Sequence, residues 1–170
     1  MTAVSSFAPI EGDSPRVLIL GSMPGIASLN AGQYYAHPRN SFWKIMEEIL
    51  KLNAAADYET RVEALKHSNI ALWDVLESCI RPGSLDAAIE MNSAKVNDIK
   101  TLLQRHPGIN VICFNGGSAE KIFNKRVLPL LGDFSVKYIR LPSTSPAHAS
   151  MPFENKVMAW GAAIKPMNQE

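Results

Sequence analysis

Four short apolar runs, at residues 16–20, 69–72, 110–114 and 136–141, are separated by segments whose apolar residues recur at helical spacing. Three of the runs are continuous apolar blocks rather than alternating ones, which predicts strands buried on both faces. Strand and helix in regular alternation specify an α/β fold built on a parallel sheet. At 170 residues the chain fits one such domain, a size that buries roughly 70% of the unfolded surface. Residues 1–15 read as a loose lead-in ending at Ser14-Pro15, and residues 16–165 as the single domain.

The connecting segments are helical by pattern. Phe42, Ile45, Met46, Ile49 and Leu50 fall on one helix face, with Asn40 or Ser41 placed to cap it. Residues 57–67 predict a second, polar helix with Val62 and Leu65 facing inward. Residues 73–78 read as a helical or turn segment, and residues 81–92 as a surface excursion. Asn97 is placed to cap a helix carrying Ile99, Leu102 and Leu103. Further helices are expected over residues 119–130 and from Phe153 through Val157, Trp160 and Ile164 to a stop at Pro166.

In open parallel sheets the functional site lies beyond the carboxyl ends of the strands. Three loops leave those ends, at residues 21–39, 115–118 and 142–150, and they are the loops richest in Gly, Pro, Ser, Asn and His. The stretch from Gly21 to Trp43 holds three glycines, two prolines and the adjacent tyrosines Tyr34 and Tyr35. Long loops inside compact domains are functional or disordered, and this aromatic content argues against disorder.

Composition narrows the function classes. Seventeen basic against sixteen acidic residues is not the footprint of a strongly basic nucleic-acid binder. A local patch can nonetheless follow phosphates while the opposite face is acidic. Cys79 and Cys113 form no CxxC pair and are too few for an iron–sulfur cluster, and no metal-ligand spacing occurs among His and Cys. Two isolated thiols without a secretion signal predict a cytoplasmic protein. No run of roughly 18 apolar residues predicts a membrane span.

The wording of the loops carries a resemblance. GSMPG, an asparagine before Phe-Trp in YYAHPRNSFW, ALWDVLESCIRPGSLD, CFNG and LPSTSPAHA together resemble the uracil-DNA glycosylase superfamily, and most of all its hypoxanthine-DNA (deoxyinosine) glycosylase branch. The resemblance spans about residues 16–160. It implies a three-layer α/β/α fold with a four-stranded parallel sheet in the order 2-1-3-4. It also implies hydrolysis of the N-glycosidic bond of a deaminated base in damaged DNA, by a monomer without cofactor, after extrusion of the nucleotide into a pocket. The chain departs from its relatives at two places. Met23 stands where many carry a water-orienting Asp or Asn, and Leu141 where several carry a His or Asn that stabilises the departing base.

The same resemblance distributes roles. Asn40 is the catalytic candidate: its amide positions the attacking water, although the bland reading is a helix cap. Phe42 would stack on the base, or be simply the first core residue of its helix. Asn115 would read the base edge, or hold an Asx-turn before two glycines. His37 would donate to the purine, or pack on a tyrosine. Met23, Pro24 and Gly25 would present backbone groups to the base. Ser143, Thr144, Ser145, Pro146, Ala147 and His148 would grip flanking phosphates, with residues 144–147 wedging into the gap left by the nucleotide. Asp74 and Asp86 read as structural. The rivals are a uracil- or mismatch-specific enzyme of the same fold, a non-catalytic binder of damaged DNA, and an α/β hydrolase using Ser22 or Ser145.

Overall fold

The computed structural model describes residues 2–168, so Met1 of the expected lead-in lies outside them. In chain order the elements are β1 (Val4–Ser5), β2 (Val17–Gly21), α1 (Ile26–Ala31), α2 (Phe42–Leu50), α3 (Tyr58–His67), β3 (Ile70–Asp74), β4 (Leu76–Ile80), β5 (Glu90–Val96), α4 (Ile99–Arg105), β6 (Val111–Asn115), α5 (Gly117–Arg126), α6 (Leu128–Leu131), β7 (Lys137–Leu141) and α7 (Phe153–Asn168). Strands β3, β2, β6 and β7 form a parallel sheet in that spatial order, which is the expected 2-1-3-4.

Both faces of the sheet are covered, which is why β2 is buried throughout. On one face Ile19, Ile70, Leu72 and Cys113 pack against Phe42, Ile45, Met46 and Ile49 of α2, Leu65 of α3 and Trp160 and Ile164 of α7. On the other, Leu18, Leu20, Ile112 and Phe114 pack against Ile99, Leu102 and Leu103 of α4 and Ala119, Ile122 and Phe123 of α5. β7 lies at the sheet edge and keeps only Leu141 buried.

Several local expectations are corrected. Residues 73–78 are not helical: β3 runs to Asp74, and the chain re-enters extended structure at Leu76. β4 pairs antiparallel with β5 and with β1 in a second, three-stranded sheet, and the expected surface excursion is the connection between β4 and β5, entering β5 at Glu90. Burial of Leu76 and Cys79 in the second core outweighs the helix-compatible local sequence. The lead-in is not loose. Val4 and Ser5 pair with Cys79 and Ser78, and Ile10, buried, bridges Leu72 at the sheet edge. Asp98, not Asn97, caps α4, accepting from the Thr101 N–H at 3.1 Å. Asn97 instead donates to the Asp74 and Leu76 carbonyls, bracing the junction between β3 and β4. The helix expected over residues 119–130 divides at Val127, with Pro129 in the first turn of α6. Pro166 lies inside α7 rather than ending it.

Glu11 fastens this N-terminal segment by accepting both Arg105 Nε (2.9 Å) and Nη2 (2.8 Å). The Arg105 hydrogen bond holds the Glu11 carboxyl below its ordinary value against the opposing effect of burial. A lowered carboxyl pKa stabilises above the unfolded value, and that stability is lost as pH falls through the folded one. Solvent screening keeps the pair near about 1 kcal/mol or less. Acidification through that range is expected to lower the exchange protection of the Ile10 amide, which bonds Leu72 O at 2.8 Å, before the parallel sheet loosens. Unchanged Ile10 protection across the Glu11 titration would contradict the tether.

Candidate active site

The register of the parallel sheet brings four strand ends level. Gly21 pairs with Asp74, Leu20 with Phe114, and Asn115 with Leu141. Side chains at paired positions share a face. Asp74, Gly21, Asn115 and Leu141 therefore form one row across the top of the sheet, on the face covered by α2 and α7.

Gly21 is the gap in this row. A β-carbon there would lie 2.6 Å from Asp74 Oδ1 and 2.9 Å from the Tyr35 hydroxyl, so only glycine fits. Tyr35 extends its ring over Phe42, with centroids 4.3 Å apart and planes at 26°. Its hydroxyl is buried without a hydrogen-bond partner, and so is Asp74 Oδ2. Asn115 lies beside that hydroxyl but closes its regular hydrogen bonds elsewhere. Burial pushes the Asp74 carboxyl up to about 7; Asp86 adds to the rise and Arg81 opposes it.

The loops are laced together by Thr144. Its N–H donates to Asn115 Oδ1 and its Oγ1 accepts from Asn115 Nδ2, both at 2.9 Å. Its carbonyl accepts the Ser41 N–H at 3.0 Å, at the start of α2. The third loop also presses on Gly116 (φ 91), where a β-carbon would meet Ser143 Cβ at 3.0 Å. Asn40 stands next to this junction. Its Oδ1 accepts the Phe42 N–H at 3.0 Å, and among the described residues its Nδ2 has no protein partner. A cavity of about 370 Å³ runs along His37, Asn40, Tyr34, Tyr35 and Trp43.

The GSMPG turn is latched from below by the β4–β5 connection. Ser22 Oγ lies 2.8 Å from both Asp86 oxygens. The buried Arg81 donates to Pro24 O at 2.6 Å and to Gly83 O at 2.8 Å. The Ile26 N–H donates to Ser84 Oγ at 2.9 Å. Gly25 has an ordinary φ of −73, and a β-carbon on it would sit 3.5 Å from Ser84 Oγ. The protein's own packing therefore does not demand glycine at that position.

A sequence model of the Uracil DNA glycosylase superfamily matches residues 9–163. The chain belongs to that superfamily. It is 32% identical over 160 residues to a hypoxanthine DNA glycosylase of Methanosarcina acetivorans, covering 94% of this chain and 96% of the relative. It is 36% identical over 111 residues to one of Methanosarcina barkeri, covering 65% and 69%. The solution NMR structure of a uracil-DNA-glycosylase-like protein from Methanosarcina acetivorans superposes with a TM-score of 0.81 at 31% identity, over 99% of this chain and 100% of that one.

As a superfamily member the chain places its expected site residues unevenly. Asn40, His37 and Asn115 stand at the mouth of the sheet, with Asn115 drawn to Thr144 and His37 Nδ1 accepting the Arg39 N–H at 3.0 Å. Phe42 has no exposed surface, because Tyr35 covers the face expected to take a base. Thr144 is buried and tied to Asn115 and Ser41, and so braces the loop. Ala147 and His148 are exposed, in a single turn that starts at Pro146 and in which Ser145 Oγ accepts the Ala147 N–H. Met23 and Leu141 are core residues, so neither departure from the relatives leaves a polar group in its place. Asp74 and Asp86, structural by sequence, lie at this site together with Tyr35 and Arg81. A signal for Asp74 was available: it continues the face of Ile70 and Leu72 into the core, a place where a carboxylate is rare unless paired.

Proposed function

We propose that the protein is a monomeric DNA glycosylase that hydrolyses the N-glycosidic bond of deoxyinosine in damaged DNA and releases hypoxanthine. The observation that carries this reading is the match, over nearly the whole chain, to a relative named hypoxanthine DNA glycosylase. The buried Met23 and Leu141 support it against a uracil-specific enzyme, since the positions that serve uracil chemistry in other relatives are apolar here.

Asn40 positions the water. Its Oδ1 is held by the Phe42 N–H, which fixes the amide plane and leaves a second lone pair for a water. An amide does not take a proton at neutral pH, so its contribution is orientation. That suffices where the sugar develops oxocarbenium character and the water needs little activation. Asn115 retains one N–H and one lone pair beyond its Thr144 bonds, and His37 lines the adjoining cavity; both are suited to the edge of a purine. Met23, Pro24 and Gly25 contribute backbone. Ser143, Ser145, Pro146, Ala147 and His148 form the loop that meets the DNA backbone. The two cysteines are buried and unpaired, which fits a reducing cytoplasm. Among the described residues no helix is long and apolar enough to cross a membrane.

Duplexes carrying inosine, xanthine or uracil, incubated with the protein and analysed for free base, test the reading. Free hypoxanthine and an alkali-labile site at inosine are expected. Release of uracil alone would overturn the substrate, and a gel shift with no alkali-labile site would reduce the protein to a binder.

A further inference from the structure

A buried carboxyl of the row at the strand ends and a buried hydroxyl from the loop above it converge over Gly21, and each carries an oxygen without a partner. Asp74 is 3% exposed and its Oδ2 makes no hydrogen bond. The Tyr35 hydroxyl, equally buried, also makes none. The other carboxyl oxygen, Asp74 Oδ1, and the Tyr35 hydroxyl crowd the space over Gly21 that a side chain would fill. Native folds pair nearly all such groups, because each unpaired one costs about 1–3 kcal/mol. Tyr35 is moreover held at φ 55, in the left-handed region that a bulky residue rarely adopts. Strain of this kind persists only where surrounding structure enforces it, and it clusters at functional sites. Here an aromatic ring lies stacked on Phe42, with its polar end against a carboxyl and beside Asn115. A flat, ring-shaped slot with a polar far end has the shape and chemistry of a seat for a heteroaromatic base.

We propose that Asp74, at the end of the slot over Phe42 where the resemblance places the base, is a further catalytic residue whose protonated carboxyl donates to N7 of the departing purine. The inference rests on the glycosylase reading above. The cavity of about 370 Å³ along His37 and Asn40 adjoins Tyr35 and gives the displaced ring room. As the N9–C1′ bond breaks, its electron pair stays on the purine and the Asp74 proton moves to N7, so hypoxanthine leaves neutral. Water forms the C1′–O bond and gives its proton to solvent, from which Asp74 is reprotonated after release.

The surroundings suit a donor near neutral pH. The ionisable groups facing Asp74 are Tyr34 and Tyr35 from the chain after α1, and Arg81 and Asp86 from the β4–β5 connection. Burial and Asp86 favour the neutral acid, and Arg81 restrains them, which leaves the carboxyl titrating at about 7. A general acid is most effective when its pKa lies near the working pH. The sign follows. The raised value means that the ionised carboxyl is the form the fold disfavours, so its stability contribution is lost as pH rises towards 7. Asp74→Asn removes that charge without changing shape and is expected to melt no lower than wild type above pH 7.

Single-turnover release of hypoxanthine from an inosine duplex, followed from about pH 5 to 9 for wild type and Asp74→Asn, tests the role. The wild-type rate is expected to fall as pH rises through about 7. The variant is expected to lose roughly 100-fold or more below that point, together with the descending limb. A variant with the wild-type rate and limb would overturn the role of Asp74 while leaving hypoxanthine release by the wild type intact. A wild type that releases no hypoxanthine would overturn the substrate reading and the inference together. A second measurement needs no variant. The wild type should bind a duplex carrying uncleavable 2′-fluoro-deoxyinosine about tenfold more tightly than its 7-deaza counterpart below pH 7, and lose that preference above it. Equal affinity for the two duplexes below pH 7 would equally overturn donation to N7.

Discussion

Asn40→Ala is expected to release hypoxanthine from an inosine duplex at least about 100-fold more slowly than wild type, in single turnover, with little change in DNA affinity. Misplacement of a reacting group by about 1 Å is enough for a loss of that order. The same substitution removes the acceptor for the Phe42 N–H at the start of α2, a cap worth about 1 kcal/mol, so the melting temperature should fall by only about 2–4 °C. Asn40→Ser separates the two roles. Serine still offers an oxygen to the helix, so stability should return while the rate does not. A wild-type rate in Asn40→Ala would remove this residue from the mechanism, whatever the protein's substrate.

Trp160→Ala should be the most destabilising single change at the back of the site. Trp160 is fully buried, packs edge-on against Phe42 at 5.9 Å, and donates its indole N–H to Pro142 O at 3.0 Å. Truncating a buried tryptophan costs about 3–5 kcal/mol, which for a chain of this size lowers the melting temperature by roughly 10 °C. The Pro142 carbonyl starts the loop that carries Ser143 to His148, so this contact joins the core to the surface proposed to meet DNA. Trp160→Phe keeps most of the packing and loses the hydrogen bond, and should weaken DNA binding more than its small stability loss would suggest. A melting temperature for Trp160→Ala within about 2 °C of wild type would show that the core refills without it.

The two predictions meet at Phe42, and so does the main revision of the site. Asn40 holds its N–H, Trp160 supports its edge, and Tyr35 covers its face. The resemblance suggests Phe42 as a stacking face and the pattern suggests a core residue; that a tyrosine from the same loop covers that face is not legible in either. The loop is long enough to fold back on itself, but where it does so depends on Ser28 Oγ holding the Ala36 N–H and on Tyr34 anchoring to Ala8 O, contacts set by three-dimensional packing.

The layer architecture, and the loops that end its parallel strands, follow from the pattern of residues alone. Continuous apolar strands require cover on both faces, and helices at 3.6 spacing supply it, so the order of elements sets a parallel sheet and puts loops of Gly, Pro, Asn and Ser at its carboxyl ends. These are local signals, carried by periodicity and turn chemistry. The tertiary structure alone decided which polar groups share a point. The β-propensity of residues 76–80 and 90–96 is weak, and their pairing rests on burial of Leu76 and Cys79 and on β1 arriving from the far end of the chain. That hairpin brings Arg81 and Asp86 under the GSMPG turn, from which they are distant in sequence, and folds them back beside Asp74. The state of the Asp74 carboxyl depends on desolvation and on two charges, Asp86 and Arg81, further along the same stretch. Burial comes from the packed sheet face, and Arg81 and Asp86 come beside Asp74 only because the chain turns back after β4, which local periodicity does not specify.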